Sequence, residues 1–151
     1  MVNKVEDLIA KYPKIFEQYE GNPGMVNWLD LPSGWVQIVD MLCGSIQAHV
    51  DSFVRYTKDG NYKPEQVTCV QMKEKFGGLR FYTNGNDDYV DGMIEMAEFI
   101  AHHTCQDCGS QKDLGRTKGW ISTLCRNCAI ANGDRAMNSW QSLNPKPDVE
   151  L

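Results

Sequence analysis

The sequence predicts an α+β fold with a helical frame, a central β-hairpin or small antiparallel sheet, and a C-terminal module built on four cysteines. Apolar residues recur at steps of three and four over 35–54 and again after the hairpin, which predicts two amphipathic helices. Between them, residues 66–76 and 79–84 are typical of two strands, and the Gly77-Gly78 dipeptide that joins them suits a two-residue turn.

Flanking segments complete the predicted order of elements. Residues 5–19 keep helical spacing, but Pro13 divides them into a short helix and one further turn. The helix after the hairpin is predicted over Val90–Ala101, and a preceding Asn/Asp turn is suited to cap it. A further helix is predicted to begin within the last cysteine pair and to run to Trp140, although Gly133 weakens its middle.

Four cysteines carry the strongest chemical signal. They form a C-x2-C-x16-C-x2-C pattern, and their numbers are Cys105, Cys108, Cys125 and Cys128. Two residues between cysteines allow both thiolates of one turn to face the same ion, and Gly109 suits the tight turn that follows the first pair. Four thiolates make a closed tetrahedral site without an open position for a substrate. We therefore predict a zinc ribbon with Zn²⁺ as a structural cofactor.

Three alternatives to a four-cysteine zinc site use these or neighbouring residues. An iron–sulfur cluster also takes four thiolates, but the glycine after the first pair favours zinc. A thioredoxin-like site has one reactive pair in a βαβ setting, and this chain has two pairs without that setting. His102 and His103 are alternative ligands, although their place at a helix end fits solvent-facing residues. Cys43 and Cys69 are predicted to be buried free thiols.

Composition and charge are those of an ordinary globular protein. The 151 residues are 42% hydrophobic and 23% charged, with a net charge of −5. That charge argues against non-specific coating of DNA but not against a local basic patch. The charged first segment has no signal-peptide core, and no run approaches the roughly 20 apolar residues of a membrane span. We expect a cytoplasmic protein without a membrane partner.

The predicted organisation has three parts. Residues 1–104 form an α+β body that contains the hairpin 66–84. Residues 105–141 form the zinc ribbon and a C-terminal helix packed on the body, and residues 142–151 form a tail. A chain of this length buries enough surface for one core, with the cysteine module as an appendage.

The hairpin has a basic face. A turn at the Gly-Gly dipeptide places Lys75 opposite Arg80 and Lys73 opposite Tyr82, and side chains alternate between faces. The apolar face then carries Val70, Met72, Phe76, Leu79 and Phe81, with Glu74 as an exception. Like charges opposed across strands are unfavourable unless an anion lies between them. We interpret Lys73, Lys75, Arg80 and Tyr82 as a site for a phosphate, nucleotide or nucleic-acid backbone, with Tyr82 stacking on a base; the alternative is a solvated face whose lysines block edge pairing.

Support for catalysis is weak. The sequence contains no Ser-His-Asp order, Gly-rich phosphate loop or H-E-x-x-H motif. His49 lies on the less apolar side of its helix and is predicted to be a surface residue. Asp87, Asp88 and Asp91 stand at a helix start, where capping accounts for them. We expect a non-enzymatic protein.

The segment VQMKEKFGGLRFY at 70–82, followed by a helix and a C-x-x-C-G knuckle, resembles a family of small uncharacterised proteins encoded by tailed phages and prophages. Gly119-Trp120, ahead of the last cysteine pair, matches a further feature of that family. The resemblance covers roughly residues 35–130. It implies a phage or bacterial origin and action in a bacterial host cytoplasm, and it carries no established activity.

Three functional hypotheses follow. The leading one is a non-enzymatic zinc-ribbon binding protein that contacts a host protein or nucleic acid; by analogy with small phage proteins, it would inhibit host machinery or defence. The alternative is a protein that sequesters a nucleotide or other small anion with the basic hairpin face. The third, a nucleic-acid-processing enzyme, lacks a catalytic constellation.

Overall fold

The computed structural model describes residues 1–19, 25, 28–52 and 64–145, which form a mixed arrangement of helices and small sheets. This confirms the mixed helix-and-sheet class that the periodicities predict. In chain order the elements are α1 (Val5–Lys11), β1 (Leu29–Asp30), α2 (Val36–Asp51), β2 (Thr68–Lys75), β3 (Gly78–Asn84), α3 (Asp88–His102), β4 (Leu114–Arg116), β5 (Thr123–Cys125), α4 (Arg126–Ala131), α5 (Asp134–Ser139) and β6 (Gln141–Ser142). Within this described part, no helix combines the length and apolar character that crossing a membrane requires.

A three-stranded sheet in the order β1-β2-β3 forms the centre of the larger core. Strands β2 and β3 are the predicted antiparallel hairpin, while the short β1 pairs with β2 in parallel, which the sequence did not predict. Met72, Leu79 and Phe81 are buried on one face of this sheet. They share a hydrophobic core with the inner faces of α2 and α3. The opposite face of the sheet carries the cationic side chains.

The hairpin turn lies one residue earlier than predicted. Its central residues are Phe76 and Gly77, with φ of 53° and 74°, whereas Gly78 already belongs to β3. Positive φ at both central positions is the pattern of a type I′ turn, whose twist matches the flanking strands. Glu74, the exception on the apolar face, closes this turn because its Oε1 accepts the Gly77 N–H at 2.6 Å. The predicted Gly77-Gly78 turn is therefore wrong.

Moving the turn changes the pairing but preserves the two faces. Lys73 now lies opposite Arg80, and Lys75 lies opposite Gly78. Two of the residues predicted for the buried face are nevertheless exposed, since Phe76 stands in the turn and Val70 stands in a bulge between its neighbours. A bulged residue has no direct partner, so strand alternation does not fix its side.

The two long helices pack against each other, and α3 also packs on β3. Asp87 caps α3 as predicted, with its Oδ1 accepting the Val90 N–H at 2.9 Å. His49 of α2 contacts the same cap through Nε2, 2.8 Å from Asp87 Oδ2, and stacks on Tyr89. His49 is buried, so its predicted surface position is wrong; the contact with α3 covers it. Phe53, predicted for the end of this helix, lies outside the described residues.

Residues 105–145, called the cysteine module below, form a second small sheet in the order β5-β4-β6. The single helix predicted through this region is wrong, because Gly133, with φ of 93°, separates α4 from α5. Strand β5 begins only at Thr123, and Trp120 before it is 81% exposed. Ser142, the first residue of the predicted tail, lies in β6.

The tip of the hairpin packs on the cysteine module. Thr123 is fully buried and donates its hydroxyl to the Gly77 carbonyl oxygen at 2.6 Å. A Cβ at Gly77 would lie 2.9 Å from Thr123 Oγ1, and one at Gly78 would lie 2.5 Å from His102 Nε2. The Gly-Gly dipeptide therefore allows close approach as well as the turn.

We expect Gly77→Ala to lower the free energy of unfolding by about 2 kcal/mol, because an L-residue at positive φ is strained and its methyl group meets Thr123. Urea titration monitored by circular dichroism measures this. The matched control is Gly92→Ala in α3, where a Cβ meets no atom within 4 Å. The free energy of unfolding of the control should rise by about 0.5–1 kcal/mol, because alanine has a higher helix propensity than glycine. A Gly77→Ala protein as stable as the parent would contradict the described turn.

Candidate metal centre

The four paired cysteines converge on one point. Their Sγ atoms all lie within 4.8 Å of one another, and Cys108 Sγ is 3.7 Å from Cys125 Sγ. A tetrahedral ion bound about 2.3 Å from each sulfur places the sulfurs about 3.8 Å apart. The cluster is therefore close enough to bind a single metal ion, as the spacing of the cysteines predicted.

The first pair lies in a tight turn after α3. Gly109 donates its N–H to the Cys105 carbonyl oxygen at 2.9 Å, and the Cys105 N–H bonds to the Ser110 carbonyl oxygen at 2.8 Å. Gly109 has φ of 77°, which confirms the expected need for glycine after the second cysteine. These hydrogen bonds fold the backbone around Cys105 so that both sulfurs of the pair face the same side.

The second pair spans a strand end and a helix start. Cys125 is the last residue of β5 and the residue before α4, and its Sγ accepts the Cys128 N–H at 3.4 Å. Leu114 of β4 pairs with Cys125, which fixes the strand that presents this sulfur. A hairpin strand followed directly by a helical turn thus brings two thiols three residues apart to one ion position.

Burial differs among the four thiols. Cys105 and Cys125 are buried, Cys128 is half-buried and Cys108 is exposed. The site has one solvent-facing corner, while its other side packs on a small apolar cluster of the cysteine module. Trp140 belongs to this cluster, and its Nε1 donates to the Leu124 carbonyl oxygen at 2.9 Å.

The protein environment shifts the pKa values of these thiols in different directions. Burial raises the pKa of Cys105, but the backbone N–H groups of Cys125, Cys108 and Asp107 outweigh burial and leave that pKa lowered. Burial raises the pKa of Cys108 and of Cys128, and for Cys128 the neighbouring sulfurs add to the increase. A bound divalent cation would lower the pKa of every thiol in the cluster, because it stabilises all of the thiolates at once.

Hydrogen bonds connect the cluster to the turn that precedes α2. Gly34 N–H donates to the Gln106 carbonyl oxygen at 2.8 Å, and Ser33 Oγ donates to the Asp107 carbonyl oxygen at 2.8 Å. The indole of Trp35 donates to the Thr104 carbonyl oxygen at 2.9 Å. The backbone around the first cysteine pair is thus anchored to the larger core.

The remaining candidate ligands point elsewhere. His102 Nδ1 faces Arg116, and His103 Nδ1 lies 2.9 Å from the Phe99 carbonyl oxygen. Within the described residues, the group of side chains close enough to share an ion consists of the four cysteines alone. Cys43 and Cys69 are buried free thiols as predicted, and burial raises the pKa of Cys69 to about 12.

The basic hairpin face has a different layout from the predicted one. Lys73 and Arg80 are opposed and half-buried, and Tyr82 is exposed one pair further along the same face. Lys75 is exposed, with its Nζ 5.5 Å from the centre of the Phe76 ring. Across the described part of the chain, neither Lys73 nor Arg80 has a carboxylate oxygen within the 4.0 Å of an ion pair.

His102, which was predicted to face solvent, is instead half-buried against Arg116, a residue that the sequence did not single out. Arg116 Nη2 donates to His102 Nδ1, so the neutral ring carries its proton on Nε2, beside Gly78. Burial lowers the pKa of His102, and the charges of Arg116 and Arg80 lower it further. Arg116 lies 36 positions after Arg80, and no spacing rule joins them. Only the contact between the hairpin and the cysteine module brings them to the same histidine.

A cleft of about 630 Å³ lies beside β5 and α5. Its lining includes the indole of Trp120 and the cations Lys118 and Arg135, together with amide and hydroxyl groups. None of its lining residues is an aspartate or glutamate. An exposed aromatic ring beside two cations is suited to stacking on a base next to a phosphate.

Comparison with known proteins gives no match to a protein-family model, to a curated protein or to a solved structure.

We expect Cys108→Ser to abolish stoichiometric metal binding and to lower the free energy of unfolding by about 3 kcal/mol or more, since a bound metal contributes its binding energy to folding. Elemental analysis and thermal unfolding measure the two effects. Cys108 is exposed, so without a metal this change would cost no more than about 0.5 kcal/mol. Lys112→Ala, an exposed change in the same segment, is the control. A Cys108→Ser protein that matches this control would exclude a structural metal here.

Proposed function

We propose that this is a non-enzymatic binding protein in which a structural Zn²⁺ on Cys105, Cys108, Cys125 and Cys128 holds a basic surface that binds nucleic acid. The observation that carries the binding surface is the opposition of Lys73 and Arg80, half-buried and without a carboxylate partner in the described residues.

Zinc is the metal that best fits four sulfurs at these distances. Soft thiolates in a tetrahedral set favour zinc or iron–sulfur chemistry. Sulfurs within 4.8 Å of one another enclose the volume of a single ion, and a cluster of several irons needs a wider cage. A four-thiolate zinc site is closed to substrate, which supports a structural role.

Zinc would also set the geometry of the binding surface. Thr123 lies two residues before Cys125, and its hydroxyl bonds to the hairpin tip at Gly77. Gln106 follows Cys105 directly, and its side-chain Oε1 accepts the Thr123 N–H at 3.0 Å. Both cysteine pairs are thus one or two residues from groups that position the hairpin.

A phosphate group would stabilise the opposed cations of this surface. Two opposed cations repel each other across a strand pair, and an anion between them removes that repulsion. Tyr82 on the same face and Trp120 in the cleft supply exposed rings for stacking on bases. Cations and aromatic rings together fit a nucleic acid better than an acidic protein.

The resemblance to phage-encoded proteins extends this proposal to the setting. On that basis the nucleic acid, or a protein bound to it, belongs to a bacterial host, and the protein acts in the host cytoplasm. Occupying a host nucleic acid in this way would inhibit the host machinery that uses it.

We expect Lys73→Ala/Arg80→Ala to weaken binding of labelled 20-nucleotide DNA or RNA about tenfold at low salt, because two phosphate contacts are lost. Fluorescence anisotropy across a salt series measures the affinity. The slope of log affinity against log salt should fall by about 2.

The control removes two exposed lysines from the N-terminal segment. Lys4→Ala/Lys14→Ala changes the net charge equally and leaves the hairpin face intact. Equal weakening of nucleic-acid binding in both double variants would show that the effect comes from the overall charge. Absence of salt-sensitive binding to single- or double-stranded DNA or RNA would exclude the proposal.

A compact phosphate ligand is a second candidate, favoured by the hydrogen bond from Arg116 to His102, whose pKa the charge of Arg80 also lowers. If this is the ligand site, a nucleoside triphosphate at a hundred times its Kd should raise Tm by about 5 °C or more, because it binds only the folded state. Arg116→Gln should remove that shift, while Lys118→Gln in the cleft should retain it. No shift with any nucleoside triphosphate or with inorganic phosphate would exclude this candidate.

A further inference from the structure

A groove between α2 and α3 presents apolar side chains to solvent. It encloses about 570 Å³. Its lining is mostly apolar and includes three methionines, Met41, Met93 and Met96. Met41 and Met96 are 63% and 59% exposed, and Phe99 beside them is 62% exposed. Exposed apolar side chains gathered along one groove form a candidate interaction site on a folded protein.

The shape of the groove fits a helix. Helices α2 and α3 have 16 and 15 residues, so each is about 23 Å long. Gly92 lies in the lining, and a Cβ there would meet no atom within 4 Å, which leaves room for a partner side chain. Methionine side chains adapt to the shape of an inserted apolar residue. An amphipathic helix placing its apolar face in such a groove is a recurrent mode of recognition.

The charge of α2 and α3 indicates which kind of partner helix would bind in the groove. Together α2 and α3 contain no lysine or arginine and six carboxylates, which are Asp40, Asp51, Asp88, Asp91, Glu95 and Glu98. Of these, Asp40 is already paired with Lys11, and Glu98 accepts the Phe81 N–H. Asp88 lines the groove, and Glu95 is exposed one turn from Gly92. Within the described residues neither Asp88 nor Glu95 forms an ion pair. A partner helix with lysine or arginine side chains would supply ion-pair partners for both carboxylates.

We propose that this groove binds a basic amphipathic α-helix of a partner protein. A second copy of the chain is the less favourable occupant, because pairing two grooves would bring two sets of acidic helices together. The groove shares no residue with the hairpin face, so this site adds a protein contact that does not depend on nucleic-acid binding.

The test uses designed 18-residue peptides as probes. The first has Leu and Trp at positions i, i+3, i+4 and i+7 and Lys on the opposite face; the second replaces Lys with Glu; the third scrambles the first. Calorimetry should show binding of the Lys peptide at least about tenfold tighter than that of the other two. Circular dichroism should show that it becomes helical on binding.

Two variants locate the site. Met41→Lys/Met96→Lys should weaken binding of the Lys peptide about tenfold or more. The double substitution removes apolar contacts and adds repulsion between the new lysines and those of the peptide. Ile130→Lys, an equally exposed apolar position on α4, should leave the affinity unchanged. Unchanged affinity in the double methionine variant would overturn the proposal, as would absence of binding to the Lys peptide. A dimer in analytical ultracentrifugation that the methionine variant abolishes would assign the groove to a second copy instead.

Discussion

The convergence of four thiols within 4.8 Å is the constraint on which the arrangement of the chain depends. The cysteine module has a small apolar cluster of its own, and most of that cluster surrounds the sulfurs. The backbone beside the first pair is bonded to the turn before α2, and the strand that ends in Cys125 is bonded to the hairpin tip. A metal at the sulfurs would therefore fix the hairpin as well as the module.

Local patterns predicted the parts of the fold that neighbouring residues decide. Helical periodicity gave α2 and α3, because each buries one continuous face, and cysteine spacing gave the cluster, because two intervening residues suffice to turn a thiol pair toward one ion. Alternation along β2 and β3 assigned Lys73 and Arg80 to one face even though the turn was misplaced. A shift of two positions in pairing leaves each residue on its original side of the sheet.

Features that depend on contacts between distant segments were not predictable in this way. His49 is polar and stands on the less apolar side of its helix, yet α3 covers it and supplies Asp87 as a partner. The Gly-Gly dipeptide is a good turn by itself, but Gly78 is needed in the strand where His102 approaches. The neighbourhood of Arg80, His102 and Arg116 likewise forms only when the hairpin meets the module.

The unequal distribution of charge has a consequence for the whole molecule. Helices α2 and α3 contribute six negative charges and no lysine or arginine, whereas Lys73, Lys75 and Arg80 of the hairpin outnumber Glu74. Within the described residues, the acidic helices and the basic hairpin face therefore contribute an electric dipole moment, in a chain whose net charge is −5. Such a moment orients a molecule during diffusional encounter, before any side chain touches. A polyanion and a polycation would thus experience opposite forces near the hairpin face and near the two helices.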